Sequence, residues 1–188
     1  LNFVKALYNK KYIYIPKINI SKKWIGNDYG GFYIYPNSLN SNSIVFSFGI
    51  GEDISFDKDL INEYNLNVIG FDPTPKSINF INNQTSLTNF TFYPYGISSK
   101  TESKKFFMPK NKDHVSGSLY LRDHLIDENI FLDFKSFNDI LKEIQVDSID
   151  LIKMDIEGSE YHVLNSILKM DIPIKQILVE FHPQMFNN

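Results

Sequence analysis

A buried strand, a glycine turn, a helix and a second strand follow one another in the first half of the chain. The run Ile44–Phe48 is almost wholly apolar, as a strand buried on both faces requires. Gly49 and Gly51 follow, apolar residues then recur at helical spacing between residues 53 and 65, and residues 67–72 form another strand pattern. Because such a crossover is right-handed, the two strands are expected to be parallel.

The same alternation continues along the chain. Further strands are predicted at residues 91–97, 149–155 and 176–181, and helices at residues 77–83, 137–144 and 159–170. This series predicts an α/β fold with a doubly wound, mostly parallel sheet and helices on both faces.

Two regions fall outside this alternation. Residues 1–40 are predicted to be a lead-in that packs on the domain formed by residues 41–188. Residues 104–108 are expected to pair back as a hairpin, and residues 111–127 are interpreted as a mobile loop with a short helix.

Composition restricts the possible partners. The chain has 188 residues, enough for one domain, with a net charge of −3 and Arg122 as its one arginine. Nucleic acid is not expected, because phosphate binding needs concentrated positive charge. The absence of cysteine excludes a disulfide framework, a thiolate metal site and a cysteine nucleophile.

The sequence contains no apolar run of bilayer-spanning length and no signal-peptide pattern. A soluble, cytoplasmic protein with no membrane partner is therefore expected. The sequence begins at Leu1 and not at Met, which leaves room for a preceding segment. No pattern indicates an oligomeric state.

Two carboxylates follow the glycine turn. The third glycine of a dinucleotide-binding fingerprint is replaced by Ile54, and the turn continues instead with Glu52 and Asp53. Two negative charges would repel a pyrophosphate but suit the ammonium and sulfonium groups of S-adenosylmethionine. The alternative is that Asp53 caps the following helix and Glu52 is solvated.

Acidic residues also end three other predicted strands. Asp72 is placed where an acid accepts hydrogen bonds from ribose hydroxyls, although it could simply start a turn at Pro73. Asp155 and Glu157 share a face, and Glu180 and His182 repeat that spacing. If their strands lie next to the first, all four side chains point into one crevice with the cofactor.

These four side chains suggest a way to activate a hydroxyl group. A carboxylate or His182 could take its proton, and Asp155, Glu180 and His182 could hold a divalent metal ion that polarises it. His182 could instead be a surface residue. Glu160 is interpreted as a favourable charge at a helix N-terminus, and Lys153 as a residue that snorkels or pairs with an acid.

Three segments together resemble the FkbM-type methyltransferases. They are Phe48–Asp53, Lys153–Glu160, which is close to the Lys-x-Asp-x-Glu-Gly-x-Glu hallmark of that family, and Val179–His182. The resemblance covers the chain from about Trp24 onward. It implies a Rossmann-like class I fold, S-adenosylmethionine as methyl donor, and a sugar or another hydroxylated metabolite as acceptor.

The resemblance also implies site residues and shows two departures. Phe48, Gly49, Gly51, Glu52, Asp53 and Asp72 would hold the cofactor, with Tyr95, Gly96 and Ile97 near the adenine. Many members have an Asp-x-Gly-Ala-Asn first motif that this chain lacks. Class I enzymes also add a C-terminal strand pair that is apparently lacking here, so either the pair has been lost, as in a fragment, or the protein does without it.

The sequence therefore favours an S-adenosylmethionine-dependent O-methyltransferase acting on a small-molecule or glycan acceptor. One competing hypothesis is an NAD-dependent oxidoreductase. Another is a non-catalytic Rossmann-like binding domain. Binding of S-adenosylhomocysteine or NAD distinguishes them.

Overall fold

Ten β-strands and four α-helices make up the part of the chain that the computed structural model describes, which is residues 18–85, 87–109 and 125–182. The strands are β1 (Lys23–Ile25), β2 (Phe32–Ile34), β3 (Ile44–Phe48), β4 (Asn67–Phe71), β5 (Phe90–Tyr93), β6 (Gly96–Ser98), β7 (Glu102–Pro109), β8 (Leu125–Ser136), β9 (Ile149–Met154) and β10 (Ile174–Val179). The helices are α1 (Ser55–Tyr64), α2 (Pro75–Asn82), α3 (Phe137–Ile144) and α4 (Glu160–Ile167).

The central sheet has five parallel strands in the order β10-β9-β3-β4-β5. The chain builds outward from β3 to one side through β4 and β5, then returns to the other side of β3 with β9 and β10. The predicted parallel pairing of the first two strands is confirmed. All five strands present their carboxyl ends at one edge, where ligands bind in open α/β sheets.

Alternation along β3 divides the core between the two faces of the sheet. Val45 belongs to one buried cluster with Leu60 of α1, whereas Phe46 belongs to another with Ile140 of α3 and Val163 of α4. Successive strand residues point to opposite faces, so one short apolar run fills both halves of the core.

The lead-in contributes to the first of these clusters. Strands β1 and β2 form an antiparallel pair, and Ile25, Ile34 and Leu39 are buried with Val45 and Leu60. Residues 18–40 therefore pack against the sheet and α1, while residues 1–17 lie outside the described residues.

The prediction of one strand over residues 91–97 is wrong. The segment divides into β5, which pairs with β4, and β6, which joins a second sheet of order β6-β8-β7. Pro94 lies between them and has no N–H to continue a ladder, which accounts for the break.

The prediction that residues 104–108 pair back on the preceding strand as a hairpin is wrong, because β7 pairs antiparallel with the later strand β8. That strand was missed: residues 125–127 were assigned to a loop and belong to β8, whereas residues 110–124 lie outside the described residues.

The predicted α3 is confirmed, with Ser136 Oγ accepting from Asp139 N at 3.2 Å. The last helix and strand are shifted from their predicted bounds, since α4 ends at Ile167 and β10 spans Ile174–Val179. None of the described helices is long and apolar enough to cross a membrane.

This fold requires glycine at position 49, both for its backbone conformation and because there is no space for a side chain. Its φ of +82° is unfavourable for other residues, and a Cβ there would come within 1.7 Å of the Asp155 carbonyl oxygen. Gly49→Ala is expected to lower the free energy of unfolding by more than about 2 kcal/mol. Urea denaturation measures this change, with the exposed substitution Ser41→Ala as control. Equal stability of both variants would contradict the prediction.

Candidate active site

A cavity of about 530 Å³ opens at the carboxyl edge of the central sheet, where the direction of strand addition reverses between β3 and β9. Its walls come from the β3–α1 loop, the ends of β4, β9 and β10, β6 and the lead-in. The sequence-predicted residues that line it are Phe48, Gly49, Gly51, Glu52, Asp53, Asp72, Gly96, Ile97, Asp155, Glu157, Glu180 and His182.

Asp72 holds the glycine loop in place. Its Oδ2 accepts from the backbone N–H groups of Ile50 and Gly51, each at 3.0 Å. Its Oδ1 accepts from Thr74 N at 2.8 Å and Thr74 Oγ1 at 2.6 Å, so the carboxylate also starts the turn before α2. Asp72 also lines the cavity. Its predicted contact with a ribose stays a prediction.

Asp53 is tied to the protein itself. Its Oδ1 accepts from Ser55 N at 2.7 Å, and its Oδ2 accepts from Asn27 Nδ2 at 2.7 Å. Burial opposes ionisation, but these hydrogen bonds prevail and lower the pKa of Asp53. The N-cap of α1 is Ile54, so the Asp53–Ser55 bond is an Asx-turn contact just before the helix and not the N-cap bond considered as the alternative. Glu52 is exposed at the rim.

The lead-in forms a wall of the cavity that sequence reasoning missed. Asn27, Tyr29 and Gly30 all line it. Asn27 Oδ1 accepts from the backbone N–H groups of Tyr29 and Gly30, both at 2.8 Å, and Asn27 N donates to Ser55 Oγ. The turn signal at Gly26 and Asn27 was visible in the sequence, but its docking on α1 was not.

Tyr95 does not line the cavity. Its ring packs on Phe71 and Tyr93, and its hydroxyl donates to Glu143 at 2.6 Å. Its expected place near the adenine stays a prediction, although its side chain lies outside the cavity lining that Gly96 and Ile97 reach.

Acidic side chains and an imidazole meet where β9 and β10 end. His182 Nε2 lies 3.8 Å from Asp155 Oδ1 and 3.7 Å from Glu157 Oε2. Glu157 has a φ of +53°, in the tight turn that follows β9. Glu180 lines the same cavity and is exposed. The sequence thus predicted a convergence that the structure contains.

The side chain of Glu160 links the turn after β9 to His182. This side chain is fully buried, and Oε1 lies 2.8 Å from His182 Nδ1. Both of its carboxylate oxygens accept from Gly158 N at 3.0 Å, and Oε1 also accepts from Ile156 N at 3.3 Å. Glu160 does lie in the first turn of α4, as predicted, but its contact with His182 was missed.

The cluster has perturbed acid–base properties. Burial raises the pKa of Asp155 to about 6, with Lys153 opposing the shift and Glu180 adding to it. The hydrogen bond with Glu160 raises the pKa of His182 to about 9 against the effect of burial, and Glu157 contributes to the rise. At neutral pH the imidazole is therefore a cation among carboxylates.

Three of these side chains could hold a metal ion. Asp155, Glu157 and His182 each offer one ligand atom, and these atoms lie within 4.8 Å of one another. Oxygen and imidazole ligands suit a divalent ion. Metal-binding histidines commonly form a hydrogen bond to a carboxylate through their other ring nitrogen, and Glu160 is in that position relative to His182. Glu180, predicted as a ligand, is outside this group among the described residues.

The cavity is strongly acidic. Its lining contains seven carboxylates against two cations, Lys153 and the His182 imidazolium. The carboxylates are those of Glu52, Asp53, Asp57, Asp72, Asp155, Glu157 and Glu180. Asp57 and Lys153 had not been predicted as lining residues. This charge balance favours a positively charged ligand over one with phosphate groups.

Fold and site together define an α/β protein with an acid-lined crevice at the carboxyl edge of a parallel sheet, which is where ligands bind in such folds. Residues 13–188 match the family model described as the methyltransferase FkbM domain, so the chain belongs to the FkbM methyltransferase family and the predicted resemblance is confirmed. The protein is a methyltransferase. No curated protein and no solved structure matched the chain.

Replacing Glu160 tests the electrostatic description of the cluster. Glu160→Gln removes the buried negative charge but keeps an oxygen that can accept from Gly158. The pKa of His182 is expected to fall from about 9 towards its ordinary value of 6.5, because the carboxylate that stabilises the imidazolium is gone. NMR titration of the histidine side chains measures it.

The matched control is Glu143→Gln, which removes a carboxylate paired with Lys135 outside the cluster. It should leave the His182 titration unchanged. An unaltered His182 pKa in Glu160→Gln would contradict the assigned contact.

Proposed function

We propose that this methyltransferase has a Rossmann-like class I fold and uses S-adenosylmethionine to methylate a hydroxyl oxygen on a sugar or another small metabolite. The observation that supports the proposal most directly is the acid-lined cavity at the carboxyl edge of the central sheet, between β3 and β9. Family membership supports methyl transfer, and the charge of the cavity supports the donor.

The charge argument separates the donor from its main competitor. S-adenosylmethionine carries a sulfonium and an ammonium group and no phosphate, whereas NAD carries a pyrophosphate. Seven carboxylates against two cations, Lys153 and His182, favour the first and repel the second. Partial burial strengthens both effects, because charges in a cavity are screened less than charges in bulk water.

The proposed donor site follows the glycine loop. Phe48, Gly49 and Gly51 present backbone to the ligand, while Glu52 and Asp53 add negative potential at the rim. Asp72 fixes the loop beside the ribose, and Gly96 and Ile97 lie on the adenine side. When bound, S-adenosylmethionine supplies an electrophilic methyl group on sulfur.

In the proposed acceptor site, Asp155 takes the proton of the hydroxyl group. Its pKa of about 6 keeps it mainly ionised at neutral pH yet basic enough to accept a proton, which is the range that general bases use. The His182 imidazolium, 3.8 Å away, stabilises the ionised carboxylate in the resting site. Glu157 and Glu180 orient the hydroxyl groups of the acceptor.

A divalent cation at Asp155, Glu157 and His182 is a second way for the same cluster to work, supported by the 4.8 Å grouping of their ligand atoms. Such an ion would lower the pKa of an acceptor hydroxyl. The two modes differ in their response to chelation, since EDTA abolishes turnover only if a cation is required.

Isothermal titration with S-adenosylhomocysteine and with NAD tests the donor. S-adenosylhomocysteine should bind and NAD should not, because only NAD brings phosphates against the carboxylates. Binding of NAD alone would overturn the proposed donor. Binding of S-adenosylhomocysteine without turnover on any hydroxylated acceptor would indicate a non-catalytic domain.

Asp155→Asn tests the proposed base. With the best acceptor from a panel of sugars and hydroxylated metabolites, kcat should fall about 10²- to 10⁴-fold, because the amide cannot take the proton. Affinity for S-adenosylhomocysteine should change little. The exposed substitution Asp147→Asn is the control, and an undiminished kcat in Asp155→Asn would rule out the assigned role.

A further inference from the structure

Two charged side chains in the cavity wall are not used by the methyl transfer described above. Asp57 lies in the first turn of α1 and is 2% exposed, and Lys153 lies within β9 and is 7% exposed. Both line the cavity. Ionisable groups buried to this extent are uncommon unless they are paired or bind something.

Lys153 lies directly beneath the glycine loop. Its Nζ donates to the Gly49 carbonyl at 2.6 Å and lies 5.6 Å from the centroid of the Phe32 ring. An ammonium has three donors, and the structure assigns one of them to Gly49. The other two can serve an anionic group in the cavity.

Asp57 has an unsatisfied acceptor. Within the described part of the chain, its Oδ1 is buried without a hydrogen-bond partner, and so is the Oγ of Ser47 on the neighbouring strand β3. Burial raises the pKa of Asp57, and the positive charge of Lys153 and the neighbouring Ser47 hydroxyl oppose that rise. A buried, unpartnered carboxylate oxygen is costly, and a cationic ligand group would compensate that cost.

The other acids near the glycine loop are less suited to contact a cation directly. Both oxygens of Asp53 already accept hydrogen bonds, from Ser55 and Asn27, and Glu52 is exposed at the rim. Asp57 is thus the buried acid next to the glycine loop with an open acceptor position.

We infer that Asp57 and Lys153 form a subsite for the zwitterionic amino-acid end of the methyl donor, with Asp57 accepting from its ammonium and Lys153 donating to its carboxylate. One buried acid and one buried base bordering a single cavity complement a group that carries both charges. This inference rests on the proposed function, because S-adenosylmethionine ends in such a group.

A pair of ligands tests the subsite separately from the donor itself. S-adenosylhomocysteine contains the amino-acid end, and 5′-methylthioadenosine lacks it. Asp57→Asn and Lys153→Met should each weaken S-adenosylhomocysteine binding about 10- to 100-fold and leave 5′-methylthioadenosine binding unchanged. Titration calorimetry measures both, and the unchanged ligand also reports that the cavity is folded.

The control is Glu63→Gln, which removes a negative charge from the exposed side of the same helix and should alter neither affinity. Equal weakening of both ligands by Asp57→Asn and Lys153→Met would show a structural role and overturn the subsite. Undiminished binding of S-adenosylhomocysteine would overturn it as well.

Ligand analogues test the same inference on the unmodified protein. Decarboxylated and deaminated S-adenosylhomocysteine should each bind at least about tenfold more weakly than the parent, and equal affinity for all three would overturn the subsite. In the variants, Asp57→Asn should abolish discrimination against the deaminated analogue only, and Lys153→Met against the decarboxylated one only. If neither S-adenosylhomocysteine nor 5′-methylthioadenosine binds the unmodified protein, the proposed donor itself is wrong.

Discussion

The site depends on the close contact between the glycine loop that follows β3 and the end of β9. Gly49 has no Cβ, and the Asp155 carbonyl oxygen occupies the space where one would lie. Lys153 stabilises this contact by donating a hydrogen bond to the Gly49 carbonyl. Asp72, which follows β4, accepts hydrogen bonds from the next two residues of the loop, Ile50 and Gly51. The glycine loop and the acids that follow β9 are thereby held in one cavity.

The central sheet could be predicted because its strands are short apolar runs with helical patterns between them. The pattern at residues 44–48 and that at residues 149–155 each matched a central strand closely. Strand β8 was missed because acidic residues interrupt its apolar alternation and Phe131, in its middle, is 64% exposed. Its pairing with β6 and β7 joins distant segments, and local periodicity contains no signal for such contacts.

In the site, the residues at the ends of strands could be predicted from the sequence. Residues whose contacts join distant parts of the chain were missed. Asp155 and His182 were predicted to converge because parallel strands end at one edge. The bond between Glu160 and His182 spans 22 residues and depends on β9 and β10 being neighbours. Asp57 was missed for another reason: an acid in the first turn of a helix is ordinarily explained by the helix dipole.

His182 follows β10, which is an outer strand of the described sheet, whereas Asp155 and Glu157 follow the inner strand β9. Outer strands open more readily than inner ones in native-state fluctuations. A local detachment of β10 would carry the imidazole away and leave Glu160 without its cationic partner while the glycine loop stays folded. The imidazole and the glycine loop are thus supported by different strands of one sheet, the imidazole by the outer strand β10 and the loop by the inner strands β3 and β4.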